Sequence, residues 1–367
     1  MTQKSRIREE AEGFARAFAE AGAVPVETDL LLEAGPFLDL YGEDIRARAY
    51  TTTDPDRGEL MLRPDFTLPV VRQHLSNGRG AARYCYLGEV FRMPPTGSGR
   101  PREYLQVGYE LFSEGDAAAA DAEVFALFHG LLSPLGLAPV TGDMGVLLAA
   151  VESLSTTPRR KRALRRHLWR PRRFRTLFDR FAGRTEASAP RRALVAALKA
   201  RGAEALMAEA GPEIGLRTAA DVRARLDILA ADAAEPPIPQ AQAEVLDAIL
   251  SLRETLPNAY AALSDMSVDL PGIGPAVTGI GRRMAALEAR GLDPASLAFE
   301  ASYGRTSMEY YDGFVFGFVA PGRPDLPPVA TGGRYDALTR RIGGVEAPAV
   351  GGVIRPEIAL ELREGPT

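Results

Sequence analysis

Apolar positions recur along this chain with two periods, and the changes of period divide it. Ile7, Ala11, Phe14, Phe18 and Ala21 fall at helical spacing with charges between them, which predicts an amphipathic helix over residues 4–21. Residues 24–32 read as a strand and 35–44 as a loop or short helix. Residues 48–53 and 59–63 read as a strand pair about the turn residues DPDRG. A helix over 68–75 follows, then two alternating strands, a helix over 117–135, a strand from Val140 and a helix over 145–154. From Ser155 to about Leu263 the pattern is helical, rich in Ala, Leu and Arg, with breaks at Gly183, Gly211 and EPPIPQ. PGIGPAVTGIG reads as a loop entering a helix over 280–290. Strands then return at 298–303 and 310–318, and residues 351–362 read as strand then helix. The fold class is α+β: an antiparallel sheet flanked by helices (1–154 and 266–367) with a helical insertion (155–265).

The most informative stretch is RYCYLGEVFRMPPTGSGRPREYLQVGYE, from Arg83 to Glu110, two strands joined by a Gly/Pro-rich connection. Side chains alternate faces along a strand. Leu105, Val107, Tyr109 and Leu111 therefore share one face, and Arg102, Tyr104, Gln106, Gly108 and Glu110 the other. The first strand places Tyr84, Tyr86, Gly88, Val90 and Arg92 together. Solvent exposure accounts for a polar sheet face. Glycines within strands point elsewhere, because they mark close approach of a ligand or a second backbone. A seat for a small zwitterion therefore stands beside simple exposure. Tyr311, Gly313, Val315 and Gly317 repeat a glycine-bearing face, and Gly332-Gly333 permit a tight approach before a helix opens at Tyr335.

Composition narrows the classes. The 367 residues are 46% hydrophobic and 25% charged, with a net charge of −4, so no global field attracts nucleic acid. One cysteine, Cys85, allows no internal disulfide, and the three histidines are far apart in sequence, so no metal-ligand spacing exists. No Gly-rich loop ends in Lys-Ser or Lys-Thr, which excludes a P-loop. The charged N-terminus and the lack of a long apolar run predict a cytoplasmic protein with no membrane partner. The cluster RRKRALRRHLWRPRRFR, from Arg159 to Arg175, has two readings. It is an RNA or polyphosphate patch with Trp169 and Phe174 for stacking, or a solvated helix face whose arginine stems cover apolar surface. The acidic total favours the second.

The hairpin with GEVFR, GRPRE and YLQVGYE resembles motif 2 of class II aminoacyl-tRNA synthetases in the histidyl form. LRPDFT (62–67), EYYDGFVF (309–316) and GGRYDAL (332–338) resemble that family's amino-acid pocket, in the same order. The resemblance runs from about residue 5 to the end and is weakest in the helical middle. It implies a class II synthetase-like sheet and a histidine-binding set of Asp65, Thr67, Arg92, Gln106, Glu110, Arg305, Tyr310, Tyr311 and Tyr335. Carboxylates accept charge-assisted hydrogen bonds from an ammonium or ring N–H, and an arginine fork suits a carboxylate or phosphate.

The departures carry equal weight. The family's adenine-holding glutamate is replaced by Pro94, and its ATP-gripping motif 3 arginine falls at Ile358, with Arg355 three positions away. The catalytic arginine's place holds Thr306, one residue after Arg305, and Asp29 stands where motif 1 has proline. Losing two charge-assisted contacts costs about 3–6 kcal/mol in ATP binding. The chain also stops soon after Ile358, so no anticodon-binding domain is expected. A kept histidine pocket with a lost ATP grip resembles the regulatory subunits of ATP phosphoribosyltransferase, synthetase-like proteins of histidine biosynthesis. This implies a non-catalytic chain without a cofactor. It pairs with a short-form catalytic subunit in a hetero-oligomer, is itself a homodimer, takes histidine as effector and needs no nucleic-acid partner. The rival readings are an active histidine-activating enzyme and an RNA-binding protein using the arginine cluster.

Overall fold

The computed structural model describes all residues except 1, 42–44, 79, 95–96, 99, 212–215, 306–308, 345–346 and 366–367, and the backbone only of 40–41. In chain order the elements are α1 (Gln3–Glu20), β1 (Val24–Pro25), β2 (Leu31–Glu33), α2 (Ala34–Tyr41), β3 (Thr51–Asp54), β4 (Gly58–Leu62), α3 (Thr67–Ser76), β5 (Ala82–Phe91) and β6 (Glu103–Phe112). There follow α4 (Ala117–Leu132), β7 (Ala138–Asp143), α5 (Met144–Ser153), α6 (Pro158–Arg166), α7 (Pro171–Phe181), α8 (Ala189–Glu209), α9 (Ala219–Ala234) and α10 (Gln240–Ser251). The chain ends with β8 (Arg253–Thr255), α11 (Leu256–Asp269), α12 (Gly274–Glu288), β9 (Ala298–Glu300), β10 (Phe314–Val319), β11 (Ala330–Arg334), α13 (Asp336–Gly343), β12 (Ala349–Ile354) and α14 (Pro356–Glu364).

Two units result, one of residues 1–149 with 248–367 and one of residues 150–247. In the first, the described strands form a sheet in the order β1-β5-β6-β12-β11-β10-β7-β9-β8. The pairs β1·β5 and β7·β9 are parallel and the rest antiparallel. A small sheet β2-β4-β3 accompanies it. One face of the large sheet is aromatic: Phe18 meets Tyr109 at 5.4 Å, and Phe125 and Phe128 meet Phe316 at 5.6 and 5.5 Å. Alternation placed Tyr109 on this apolar face, and there it is 1% exposed. The opposite face carries Gln106, Gly108 and Glu110.

Several elements differ from the sequence reading. The strand expected over 24–32 splits in two, because Arg63 Nη1 takes the Thr28 carbonyl at 2.7 Å and the chain crosses to the small sheet. The strand expected from Tyr310 starts at Phe314. Before it, the Gly313 carbonyl accepts from Met144 N–H at 2.8 Å and the Asp312 carboxylate caps α13 through Asp336 N–H and Ala337 N–H. PGIGPAVTGIG is a 3-10 turn at Pro271–Ile273 running straight into α12, with no loop between them. The helical unit ends at residue 247, against the expected 265. The intervening β8 pairs with β9 in the large sheet, Arg253 opposite Glu300, so this short strand belongs to the first unit.

In the second unit, Phe174, Phe178 and Phe181 bury one stripe of α7, and its arginines, Arg172, Arg173, Arg175 and Arg180, lie off that stripe. Phe174 is 1% exposed and offers no ring for stacking on a base. Among the described residues no helix is long and apolar enough to cross a membrane.

Candidate functional site

Register assembles the site. Across the sheet Gln106 lies opposite Gly88, Gly108 opposite Tyr86, and Glu110 between Tyr84 on β5 and Gly351 on β12. The glycines make room for side chains of the chain itself. A Cβ at Gly108 would collide with the Tyr86 ring, and one at Gly351 with the Glu110 carboxylate. The glycine floor expected to admit a ligand thus lets an acid and a phenol lie flat against the sheet.

Glu110 is 1% exposed and is the centre of the arrangement. Its Oε1 accepts from Thr67 Oγ1 at 3.0 Å and Tyr86 OH at 3.0 Å, and its Oε2 accepts from Tyr335 OH at 2.6 Å. Tyr310 OH donates to Thr67 Oγ1 at 3.1 Å, which extends the network. Burial pushes the Glu110 carboxyl up to about 7, although the hydroxyls of Tyr335, Tyr86 and Thr67 oppose the rise; nearby Asp65 adds to it. Among the described residues no salt bridge reaches Glu110. Burial likewise raises the phenols of Tyr86, Tyr310 and Tyr335 well above their ordinary value, with the Glu110 charge contributing to each, so all three stay protonated as donors.

The other residues named from sequence fall as follows. Asp65, 4% exposed, precedes α3, and its charge is felt by Glu110, Tyr310 and Tyr311. Gln106 is 1% exposed, and its Oε1 has no hydrogen-bond partner among the described residues. Tyr311 is buried, with its ring 5.0 Å from that of Tyr310; the Tyr310 and Tyr335 rings lie 5.8 Å apart. Arg92 donates from Nε to the Pro64 carbonyl at 2.7 Å, which fixes the turn leading to Asp65. Arg305 is 6% exposed in the turn after β9. Thr306 lies outside the described residues. Hydrogen bonds therefore join Thr67, Glu110, Tyr310 and Tyr335 directly, and electrostatics ties Asp65 and Tyr311 to them.

Sequence reasoning placed Tyr86 on the correct strand face but not in the site. The signal was present, since Tyr86 alternates with Gly88 and pairs with Gly108. Its ring also stacks on Phe66, with centroids 4.3 Å apart. The Ile358 position is buried in α14, and Arg355 precedes that helix with Nη1 on the Pro328 carbonyl at 2.5 Å. Burial lowers the Arg355 pKa, and the charge of Arg92 lowers it further.

Comparison with known proteins bears on these features. The family model described as histidyl-tRNA synthetase matches residues 2–236 and 203–358. Curated proteins named ATP phosphoribosyltransferase regulatory subunit match nearly end to end. The one from Rhizobium johnstonii is 34% identical over 91% of this chain and 92% of its own length. That from Brucella anthropi is 32% identical over 89% of both. The chain belongs to the family of ATP phosphoribosyltransferase regulatory subunits, which is histidyl-tRNA synthetase-like.

Solved structures agree on the fold. A Bacillus halodurans protein described as an ATP phosphoribosyltransferase regulatory subunit/histidyl-tRNA synthetase superposes with a TM-score of 0.68 at 21% identity, covering 99% of this chain and 80% of that one. The histidyl-tRNA synthetase of Nostoc sp. gives 0.64 at 15% identity, covering 99% and 73%. The class II synthetase-like fold expected from the four motifs is therefore the fold of this regulatory-subunit family member. Its helix-flanked sheet differs from the expectation in being mixed.

Proposed function

We propose that this chain binds histidine at Glu110 and, without catalysing a reaction itself, activates a short-form catalytic subunit of ATP phosphoribosyltransferase and makes it sensitive to histidine. The observation that carries the reading is the Glu110 carboxylate: buried, close to Asp65, hydrogen-bonded only by hydroxyls, and in no salt bridge among the described residues. Two nearby buried acids repel each other, and a cationic group between them relieves both the repulsion and the burial cost. The ammonium and imidazole of histidine supply such groups with N–H donors. The Gln106 amide oxygen accepts a further N–H, while Arg92 and Arg305 suit the carboxylate. Pro94 and the buried Ile358 supply no charge for a nucleotide, in keeping with a chain that has no activity alone.

Regulation then follows from linkage. Histidine favours one arrangement of the hetero-oligomer, and a coupling of about 1–3 kcal/mol suffices to lower the partner's activity. A homodimer of this chain and a cytoplasmic setting belong to the same reading. Mixing the chain with a short-form phosphoribosyltransferase tests it: the rate rises on addition, and histidine then reduces it. If the chain neither raises the rate nor alters histidine sensitivity, the reading fails.

One observation favours a second reading. The charge of Arg92 acts on Arg355, and an anion would relieve the repulsion between two such guanidiniums. Histidine-dependent exchange of pyrophosphate into ATP by the chain alone would establish a histidine-activating enzyme.

A further inference from the structure

The helices α6, α7, α8 and α9 of the second unit border two adjoining cavities of about 300 and 420 Å³, a size suited to small ligands. Asp232 supplies the carboxylate that lines both, and it is already engaged. It accepts from Arg160 Nε at 2.8 Å and from Arg191 Nη2 at 2.7 Å. Arg160 also donates to the carbonyls of Asp232 and Pro236, each at 2.8 Å, so it ties α6 to the end of α9. This group is structural, and two guanidiniums around one carboxylate leave it with a net positive charge.

Arg180 is added to that excess. Its guanidinium rests on the Phe181 ring at 4.9 Å, and its Nε is shielded from solvent with no hydrogen-bond partner among the described residues. Burial first, then the charge of Arg191, lowers its pKa; Arg160 adds to this and Asp232 opposes it. Arg159 and Arg225 line the first cavity and Lys199 the second. No salt bridge among the described residues engages any of these three or Arg180.

Like charges gathered in a concave site are destabilising until an anion enters, and low-dielectric walls focus their field inward. Guanidinium forks match phosphate oxygens. The aromatic residue here, Phe181, is 4% exposed and covered by arginine on its face, so it offers no stacking platform for a base. The small volume, the convergent cations and the covered face of Phe181 favour a compact ligand over a nucleic-acid strand. We propose that this arginine-lined cavity binds a compact, multiply charged phosphate of the diphosphate class. The proposal does not depend on histidine binding at Glu110.

The test is calorimetry of the full chain with inorganic pyrophosphate at constant ionic strength, with sodium sulfate as control. Arg160 and Arg191 are left intact because they hold Asp232. Saturable binding is expected, weakened about 10-fold or more in Arg180→Gln and in Arg225→Gln and unchanged in Glu110→Gln. If Arg180→Gln does not fold, exposed Lys199→Gln serves, with a loss in the same direction. Four outcomes overturn the proposal: no saturable heat, equal affinity in all variants, equal binding of sulfate, or binding of tRNA that pyrophosphate does not displace.

Discussion

Asp121 and Glu110 are buried alike, each 1% exposed, yet their charges are handled in opposite ways. Asp121 accepts from Arg283 Nε and Arg334 Nε, both at 2.9 Å. Arg283 continues to Asp143 at 2.9 Å, and Arg334 to Asp336 at 3.0 Å. These bonds join α4, α12, β7, β11 and α13, so each of these acids is paired with a cation inside the fold. Among the described residues Glu110 receives only hydroxyls. Removing one partner from a buried ion pair leaves an uncompensated charge, whereas a carboxyl near neutrality waits for its cation. The first region completes the fold and the second is suited to a ligand.

The largest effect is expected from breaking the completed network. Arg283→Met leaves Asp121 and Asp143 without this partner and should cost about 3–5 kcal/mol of stability, read by chemical denaturation at pH 7. A loss below about 1 kcal/mol would mean that the buried acids of this region need no internal cation, and the contrast with Glu110 would collapse.

The pH dependence should reveal the opposite behaviour of Glu110. Its folded pKa of about 7 lies above the ordinary 4.5. Between those values the folded state binds more protons than the unfolded one, so stability from this group is full below pH 4.5 and is lost as pH rises through 7. Wild-type stability relative to Glu110→Gln should fall by about 3 kcal/mol between pH 4.5 and 8. Saturating histidine should flatten that fall, because a bound cation stabilises the ionised acid. A difference that does not change with pH would place Glu110 among the acids that already have an internal cation.

Next comes affinity. Glu110→Gln keeps the volume and can still accept from a hydroxyl, but it removes the charge. Histidine binding measured by calorimetry at pH 8 should weaken ~10²-fold, the loss of a charge-assisted contact in a buried site. Unchanged affinity would remove Glu110 from the histidine site.

The two regions also differ in how legible they were. Glu110, Gln106 and the glycines announced themselves because strand alternation has period two, and polar residues beside glycines on one face are conspicuous within ten residues. The motif resemblance supplied Asp65, Thr67 and the tyrosines from distant segments. Asp121 and Arg283 gave no such sign, and Arg334, although inside GGRYDAL, was given no role. They lie on α4, α12 and β11, and only tertiary packing brings together residues 162 and 213 positions apart. Arg283 looked like one more charge on an arginine-bearing helix. The strand boundaries at Leu31 and Phe314 were missed for a related reason: side chains of Arg63 and Asp312 capture backbone groups, which hydrophobic period does not report.

The smallest predicted effect separates hydroxyl support from charge. Tyr86→Phe removes one donor to Glu110 Oε1 while keeping the ring on Phe66, so the fold should lose no more than about 1 kcal/mol. With Thr67 and Tyr335 as the remaining donors, the Glu110 carboxyl rises further and less of it is ionised at neutral pH. Histidine affinity at pH 7 should fall about 5- to 10-fold, and the deficit should shrink by pH 8.5 as the acid ionises in both proteins. A deficit of the same size at both pH values would mean that the phenol touches the ligand directly, making Tyr86 part of the binding surface and leaving the ionisation of Glu110 to Thr67 and Tyr335.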